Sequence, residues 1–170
     1  MDRMFCDGCG VEHDLSEMEP AYRWPDAYLD VPEDERESRT RGGRSAVGVR
    51  EAEDAPWRRF IRVLLPFRVH GESEPYSWGI WVEISEDAWR RTYARWDDPA
   101  QADEPPFAAR VANRLNGYEG TLDLAGHVRL VSPRSVPTFH LDDGVDHPLA
   151  REQQAGIGPE RVVEWVSWHH

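Results

Sequence analysis

Residues 59–84 read RFIRVLLPFRVHGESEPYSWGIWVEI and carry the clearest structural pattern in the chain. Apolar side chains alternate with other residues over 61–69 and again over 76–84, which is the two-residue period of a β-strand. The polar stretch between them, residues 70–74, contains a glycine and is typical of a turn. We therefore expect an antiparallel hairpin. Pro66 cannot donate a hydrogen bond to a neighbouring strand, so its strand is expected to lie at an edge or to carry a bulge.

Two tryptophans lie in the second strand of this hairpin, on opposite faces. Trp78 is expected to face the core, while Trp81 joins Phe60 and Leu64 on a second apolar face. Gly79 stands between the tryptophans, where the missing side chain lets another backbone or a ligand approach closely. This second face is therefore either covered by another element, such as a helix, or exposed as a binding patch.

A helix is expected directly after the hairpin. Ser85 is a favourable N-cap, and acidic residues follow it in the first turn. Trp89, Tyr93 and Trp96 are spaced so that they share one face of this helix. An aromatic stripe at this spacing is more often part of a core than of a ligand site, and we expect it to be core.

Turn and cap residues divide the rest of the chain. Further helices are predicted from Pro32 to Gly42-Gly43, over 107–115, over 148–154 and from Pro159 onward, and strands over 122–130, with a bulge at Gly126, and over 138–141.

These elements predict an α+β fold, with a mostly antiparallel sheet and flanking helices. The length of 170 residues favours a single domain, residues 1–170. Within it, residues 1–20 form an N-terminal Cys-x-x-Cys-Gly knuckle, and residues 59–170 form the sheet-and-helix core.

Charge and composition exclude several functions. The net charge is −12, so nucleic acids and acidic membranes are not expected partners. All 20 basic residues are arginine, which excludes a P-loop and a Schiff-base lysine. No segment is apolar enough to span a membrane and no signal peptide is evident, so we expect a cytoplasmic protein.

A possible metal site lies at the N-terminus, in Cys6-Asp7-Gly8-Cys9-Gly10 followed by His13. Two thiolates separated by two residues can bind one tetrahedral zinc ion, and His13 is near enough in sequence to be a third ligand. The fourth ligand would be distant: His147 is one candidate, as are His140, His127, His70 and water. Alternatively, the two cysteines are half-buried thiols in a turn.

The segment Asp146-His147-Pro148 has two interpretations. The aspartate could orient the imidazole and raise its basicity. More simply, Asp146 caps the helix that begins at Pro148, and His147 packs nearby. His127 and His140, on two predicted strands, form either a polar site or scattered surface histidines.

Several motifs in this order resemble those of an uncharacterised bacterial family, domain of unknown function 2199, over nearly the whole chain. They are Cys6-x-x-Cys9-Gly10 with His13; Pro32-Glu33-Asp34-Glu35-Arg36; Trp78-Gly79-Ile80-Trp81-Val82 with Ile84-Ser85-Glu86; and Asp146-His147-Pro148-Leu149-Ala150 with Gln153 or Gln154, Gly156 and Ile157. The resemblance implies no activity. It does imply that relatives often carry a third cysteine where this chain has Gly48, so a closed zinc site would lack that ligand here.

Two functions fit these observations. The first is a non-catalytic binding or interaction protein that meets another protein and whose Cys6/Cys9 knuckle is a structural zinc clip. The alternative is a zinc-dependent hydrolase, in which Cys6, Cys9 and His13 or His147 hold the metal and water occupies the open position. The sequence favours the first, because it contains no established catalytic motif such as a Gly-x-Ser-x-Gly elbow or a His-Glu-x-x-His helix.

Overall fold

A computed structural model describes residues 3–6 and 10–169 of the chain, without the side chains of Met4, Cys6, Leu15 and Ser16. It contains nine strands in these ranges: β1 (Arg3–Cys6), β2 (Val11–Asp14), β3 (Thr40–Gly42), β4 (Ala46–Val49), β5 (Arg58–Phe67), β6 (Tyr76–Ile84), β7 (Phe107–Val111), β8 (Ala125–Arg129) and β9 (Thr138–Leu141). The α-helices are α1 (Asp26–Leu29), α2 (Arg36–Arg39), α3 (Glu86–Arg95), α4 (Pro148–Ala155) and α5 (Pro159–His169).

The hairpin predicted over residues 59–84 is confirmed as β5 and β6, paired antiparallel from Arg59 to Phe67. It belongs to a seven-stranded sheet in the order β3-β4-β5-β6-β7-β8-β9. In addition, β9 pairs in parallel with β5, where Leu64 meets Thr138. This contact closes β5 to β9 into a five-stranded barrel, which the sequence pattern does not predict. The α+β class holds, and the sheet within it is a barrel with two extra strands.

Pro66 is accommodated without placing β5 at a sheet edge. On the side of β5 away from β6, β4 pairs only with the first part of the strand, residues 58–61. Beyond it, β9 contacts this side at Leu64. Near Pro66 a side chain replaces a strand, since Gln153 Nε2 donates to the Pro66 carbonyl. Because no described strand pairs with β5 on this side at Pro66, the missing N–H of the proline removes no hydrogen bond between strands.

The barrel interior is filled mainly by large side chains, and α4 and α5 contribute to the same core. Trp78 is fully buried there, as predicted, and Trp165 of α5 packs edge-on against it with ring centroids 5.0 Å apart. Leu149 and Ala150 of α4 are also fully buried. Such edge-to-face aromatic pairs add stability beyond the area that they bury.

A second, smaller core lies on the outside of the barrel. Trp81 and Phe60 are fully buried there under the segment 20–31. Trp24 stacks on Trp81, and the indole N–H of Trp81 donates to the Tyr22 carbonyl at 3.0 Å. The second apolar face predicted from the sequence is therefore covered by other parts of the chain.

Gly79 has the role that the sequence suggested, since another backbone runs directly beside it. Its N–H donates to the Pro20 carbonyl, and its carbonyl accepts from the Tyr22 N–H, both at 2.8 Å. A Cβ at this position would lie 3.2 Å from the Ala21 side chain. The glycine thus allows the covering segment to dock on the barrel.

The helix predicted over 107–115 was wrong, because this segment begins with strand β7. Its first residues alternate strictly, with Phe107, Ala109 and Val111 buried and the residues between them exposed. Two alanines and an arginine favour a helix locally. Pairing with β6 and β8 on either side overrides that preference.

Two smaller predictions also need correction. Gly126 is not bulged: β8 keeps a continuous register with both neighbours, and the glycine makes room for the ring of Phe139, 2.4 Å from where a Cβ would stand. The helix expected from Pro32 to Gly42-Gly43 is a 3-10 turn followed by α2, which ends at Arg39. Gly42 then lies in β3, next to the turn into β4.

Candidate functional site

A groove lies between α3 and the turn that joins β3 to β4. Its volume is about 570 Å³. One wall is the helix and the other is the glycine-rich turn, residues 42–45. Side chains that line the groove include Arg44, Ala46, Ile61, Trp89, Tyr93 and Trp96. A groove of this size falls within the range of known ligand sites.

The aromatic stripe of α3 forms the helix wall. Tyr93 is 79% exposed, and Trp89 and Trp96 are half-buried. The fully buried positions of α3 are instead Ala88 and Thr92. The expectation that this stripe is core was wrong for Tyr93 and Trp96, which belong to neither core, and holds in part for Trp89. Small residues of α3 face the barrel and leave the large rings along the side of the helix.

Helix α3 itself is well fixed. Ser85 is its N-cap, as predicted, and its hydroxyl accepts from the Ala88 N–H at 3.1 Å. Trp89 also packs partly against the main core, and Arg59 lies 5.4 Å over its ring. The exposed rings therefore project from a rigid support, which reduces the entropy lost when a ligand binds.

Thr92 combines deep burial with an unsatisfied polar atom. This groove residue is 3% exposed, and its hydroxyl has no hydrogen-bond partner in the described part of the chain. An unpaired buried hydroxyl costs about 1–3 kcal/mol. Because Thr92 lines the groove, water or a ligand can satisfy this hydroxyl, whereas the Trp78 indole N–H, also without a partner in the described part of the chain, lies in the core.

The charges around the groove are of two kinds. The arginines of α3 are neutralised by carboxylates: Arg90 pairs with Glu86, and Arg91 with Glu104. Arg44 and Asp97, which line the groove, form no ion pair with any other described residue. A cation and an anion are therefore both left for a bound group.

A second polar cluster ties α4 and α5 to the loop before β8. The Tyr118 hydroxyl hydrogen-bonds Glu152 and accepts from Arg161 and from the Trp165 indole, both at 3.1 Å. Arg161 also binds Glu152 at 2.8 Å. Burial, together with the hydrogen bond to Glu152, raises the pKa of Tyr118 above its ordinary value. Since every member is paired, we assign this cluster a structural role.

His147, a predicted zinc ligand, has a different role in the structure. Its side chain is the N-cap of α4, where Nδ1 accepts from the Leu149 N–H at 3.1 Å. Its Nε2 faces the Glu119 carbonyl at 2.7 Å, so the ring donates there. Both nitrogens are thus engaged, which leaves no lone pair for zinc. The prediction that Asp146 caps this helix was wrong: the N-cap is His147, and Asp146 pairs with Arg151.

The other predicted ligands lie at or near the N-terminal hairpin. Cys6 ends β1 and is paired in register with Val11, two residues before His13 in β2. Cys9 and the side chain of Cys6 lie outside the described part of the chain. Among the described residues, no group of three or more His, Cys, Asp and Glu side chains is placed to hold a metal ion. Zinc binding by Cys6, Cys9 and His13 therefore stays a prediction.

Two further histidines meet on the barrel surface. His127 of β8 and His140 of β9 are directly opposite each other and exposed. Partial desolvation and the charge of Arg129 lower the pKa of His140. His70 is elsewhere, with Nε2 at 3.2 Å from the Ala155 carbonyl.

Sequence reasoning missed the turn between β3 and β4 as a wall of the groove. Gly42-Gly43 was interpreted as a helix end, whereas it permits a tight turn opposite α3. Gly42 has φ of +114°, and a Cβ there would lie 2.4 Å from the Ala46 carbonyl oxygen. Adjacent glycines between charged and apolar segments could have indicated a hairpin turn.

In the described part of the chain, no helix is both long and apolar enough to cross a membrane.

Comparison with known proteins identifies a family. No curated protein and no solved structure gave a significant match. The model of one family, described as an uncharacterised protein conserved in bacteria, matches residues 5–157 of the 170-residue chain. The chain therefore belongs to this family, DUF2199.

Proposed function

We propose that the protein is a non-catalytic binding domain whose groove between α3 and the β3–β4 turn receives an apolar side chain of a partner protein. The observation that carries this proposal is the aromatic stripe of α3 beside the groove, in which Tyr93 is 79% exposed and Trp89 and Trp96 are half-buried. Folding normally removes such rings from water, and an apolar stripe beside a groove marks an interaction site.

The chemistry of the groove favours a polypeptide as the occupant. Tryptophan, tyrosine and arginine are the residues that contribute most to protein interfaces, and Trp89, Tyr93, Trp96 and Arg44 are all present here. Arg44 and Asp97 complement a segment that carries both charges beside its apolar residue. The net charge of −12 disfavours a nucleic acid.

A selection from a random-peptide library displayed on phage tests this proposal. The protein is immobilised, and peptides that bind a Tyr93→Ala/Trp96→Ala variant are removed first. We expect enriched peptides to share an apolar or aromatic residue flanked by charges. Synthetic copies should bind the wild-type protein at least tenfold more tightly than the double variant.

The matched control is Leu29→Ala, which removes a side chain that is 55% exposed but does not line the groove. Peptide affinity should be unchanged in this control. Enrichment of no peptide, or of peptides that bind the wild type and the double variant equally, would contradict the proposal.

We also propose that the N-terminal hairpin is a structural zinc clip, the role predicted for Cys6 and Cys9. The antiparallel pairing of β1 and β2 supports it, because it brings the backbone of Cys6 near that of His13. Metal analysis of protein purified without chelator should find zinc near one equivalent. A Cys6→Ser/Cys9→Ser variant should lose this zinc and melt at a lower temperature. Protein that contains no zinc in the wild-type form would contradict the clip.

A further inference from the structure

The outer face of β8 and β9 carries a histidine pair that neither the groove nor the N-terminal hairpin uses. His127 and His140 are directly opposite in an antiparallel ladder. Directly opposite residues project on the same side of a sheet, with Cβ atoms about 4.5–5.5 Å apart. Both side chains are exposed, so a metal ion can reach them from solvent.

Asp142 fixes the orientation of one ring. Its Oδ1 lies 2.6 Å from Nδ1 of His127, so this nitrogen donates its proton to the carboxylate. The proton then sits on Nδ1, and Nε2 keeps its lone pair. A carboxylate bound to the second nitrogen in this way is the usual outer support of metal-binding histidines, because it sets the tautomer and strengthens the ligand.

Asp142 is itself held by the sheet. Its N–H donates to the Ala125 carbonyl at 3.0 Å, which continues the register of β8 and β9 two pairs beyond His127 and His140. The aspartate and both histidines therefore stand on one rigid ladder. A preformed arrangement loses little entropy when an ion binds.

Three other histidine rings, those of His70, His147 and His169, are engaged with the backbone. His147 uses both nitrogens. His169 places Nδ1 at 2.8 Å from the Trp165 carbonyl, and His70 contacts Ala155. The pair on β8 and β9 thus differs in having two rings on one face and a carboxylate behind one of them.

We propose that His127 and His140 form a surface site for a divalent transition-metal ion that prefers imidazole ligands, such as Ni²⁺ or Zn²⁺, with water in the remaining positions and Asp142 as the positioning residue. Imidazole nitrogen suits these ions, whereas Mg²⁺ and Ca²⁺ prefer oxygen ligands. Two protein ligands make a weaker site than a closed structural one. The site therefore suits a reversibly bound ion.

Isothermal titration calorimetry of the protein with Ni²⁺ tests this site. The titration uses a Cys6→Ser/Cys9→Ser background, so that thiolates at the N-terminus do not bind the ion. We expect one Ni²⁺ per chain, with affinity at least tenfold lower in each of His127→Asn and His140→Asn. Asp142→Asn should lower the affinity by a smaller factor without changing the stoichiometry, since it removes only the support of His127.

His70→Asn is the matched control, because it removes another exposed histidine and should leave Ni²⁺ affinity unchanged. A second measurement needs no variant of the site: paramagnetic Ni²⁺ should broaden the amide NMR signals of residues 126–128 and 139–142 first. The proposal is overturned if no Ni²⁺ binds, if both histidine variants bind it as tightly as their background, or if broadening is centred on another histidine such as His169.

Discussion

Helices α3 and α5 both carry aromatic residues at helical spacing, yet they use them in opposite ways. The buried positions of α5 are Val162, Trp165 and Val166, so its large ring enters the barrel core. The buried positions of α3 are Ala88 and Thr92. Small residues bring α3 close to the barrel, and its three rings remain beside a groove. The spacing of aromatics thus shows that they share a face but not what that face meets.

The polar groups of the two regions differ in part, since the barrel core also contains one indole N–H, that of Trp78, without a partner in the described part of the chain. In the barrel region, the Trp165 indole, Tyr118, Glu152 and Arg161 satisfy one another. In the groove, the Thr92 hydroxyl has no partner in the described part of the chain. A satisfied network stabilises the fold. The Thr92 hydroxyl differs from the Trp78 indole in that it lines a groove, where water or a ligand can reach it.

The largest expected effect is that of Trp165→Ala. This variant empties the centre of the aromatic core, and truncation of a buried aromatic residue costs about 3–5 kcal/mol. Urea unfolding should show this loss of free energy. Trp165→Phe retains most of the ring and should cost clearly less. A loss below about 1 kcal/mol for the alanine variant would mean that α5 does not fill the core as described.

Tyr118→Phe removes one hydroxyl from the network. Glu152, Arg161 and the Trp165 indole each lose a partner, so we expect a loss of about 1–3 kcal/mol in unfolding free energy. Tyr93→Phe is the matched control in the groove. Its hydroxyl is on an exposed ring, and the change should be within about 0.5 kcal/mol. Equal effects of the two variants would remove the distinction between the regions.

Capping of α4 by His147 gives a prediction of intermediate size. His147→Ala removes the acceptor for the Leu149 N–H and the donor to the Glu119 carbonyl, and loss of the cap alone should cost about 0.5–2 kcal/mol. His147→Asn should recover much of this loss, because asparagine is also a good N-cap. Thermal unfolding of the two variants measures the difference. An asparagine variant as unstable as the alanine variant would show that the cap is unimportant.

The sequence predicted those elements in which local preference and tertiary contacts agree. The alternation in β5 and β6, the cap at Ser85 and the proline starts of α4 and α5 all belong to this group. Closure by β9 could not be predicted, since it depends on one parallel contact between residues 74 positions apart, Leu64 and Thr138. The strand β7 was missed because its alanines favour helix and only its neighbours impose a strand.

The candidate site was harder to predict than the fold. The motifs that resemble the family include Gly79, His147 and Gln153, and the structure uses all three to hold segments together. Trp89, Tyr93 and Trp96 were recognised as one face, but their position depends on which residues of α3 touch the barrel. Which face of α3 contacts the barrel is determined by packing between segments that are distant in the sequence.

Thr92→Val tests the floor of the groove. Valine has nearly the same shape and no hydroxyl, so the cost of the unpaired group disappears and stability should rise by about 1 kcal/mol. A peptide that binds through the hydroxyl should at the same time bind more weakly to this variant. Chemical unfolding and peptide titration report the two effects separately. A clear loss of stability would show that the hydroxyl is already paired.

The smallest expected effect is that of a substitution at Glu19, whose carboxylate contacts barrel strand β6 at Ser77. Burial raises its pKa, although the hydrogen bond that it accepts from the Ser77 N–H opposes the shift. A carboxyl with a raised pKa contributes stability below its unfolded-state pKa and loses it as the pH rises through the folded value. Glu19→Gln should therefore slightly stabilise the protein at pH 7 and reduce the change in stability between pH 4 and pH 7. Identical pH profiles for both proteins would contradict this assignment.

Urea unfolding of the Tyr93→Ala/Trp96→Ala variant tests the contrast between the two helices most directly. Neither ring belongs to the two buried cores of the described structure. If the stripe on α3 serves a partner, removing both rings should change the unfolding free energy by no more than about 1 kcal/mol. A loss of about 3 kcal/mol or more, as for a buried aromatic residue, would show that these rings support the fold and would contradict the account.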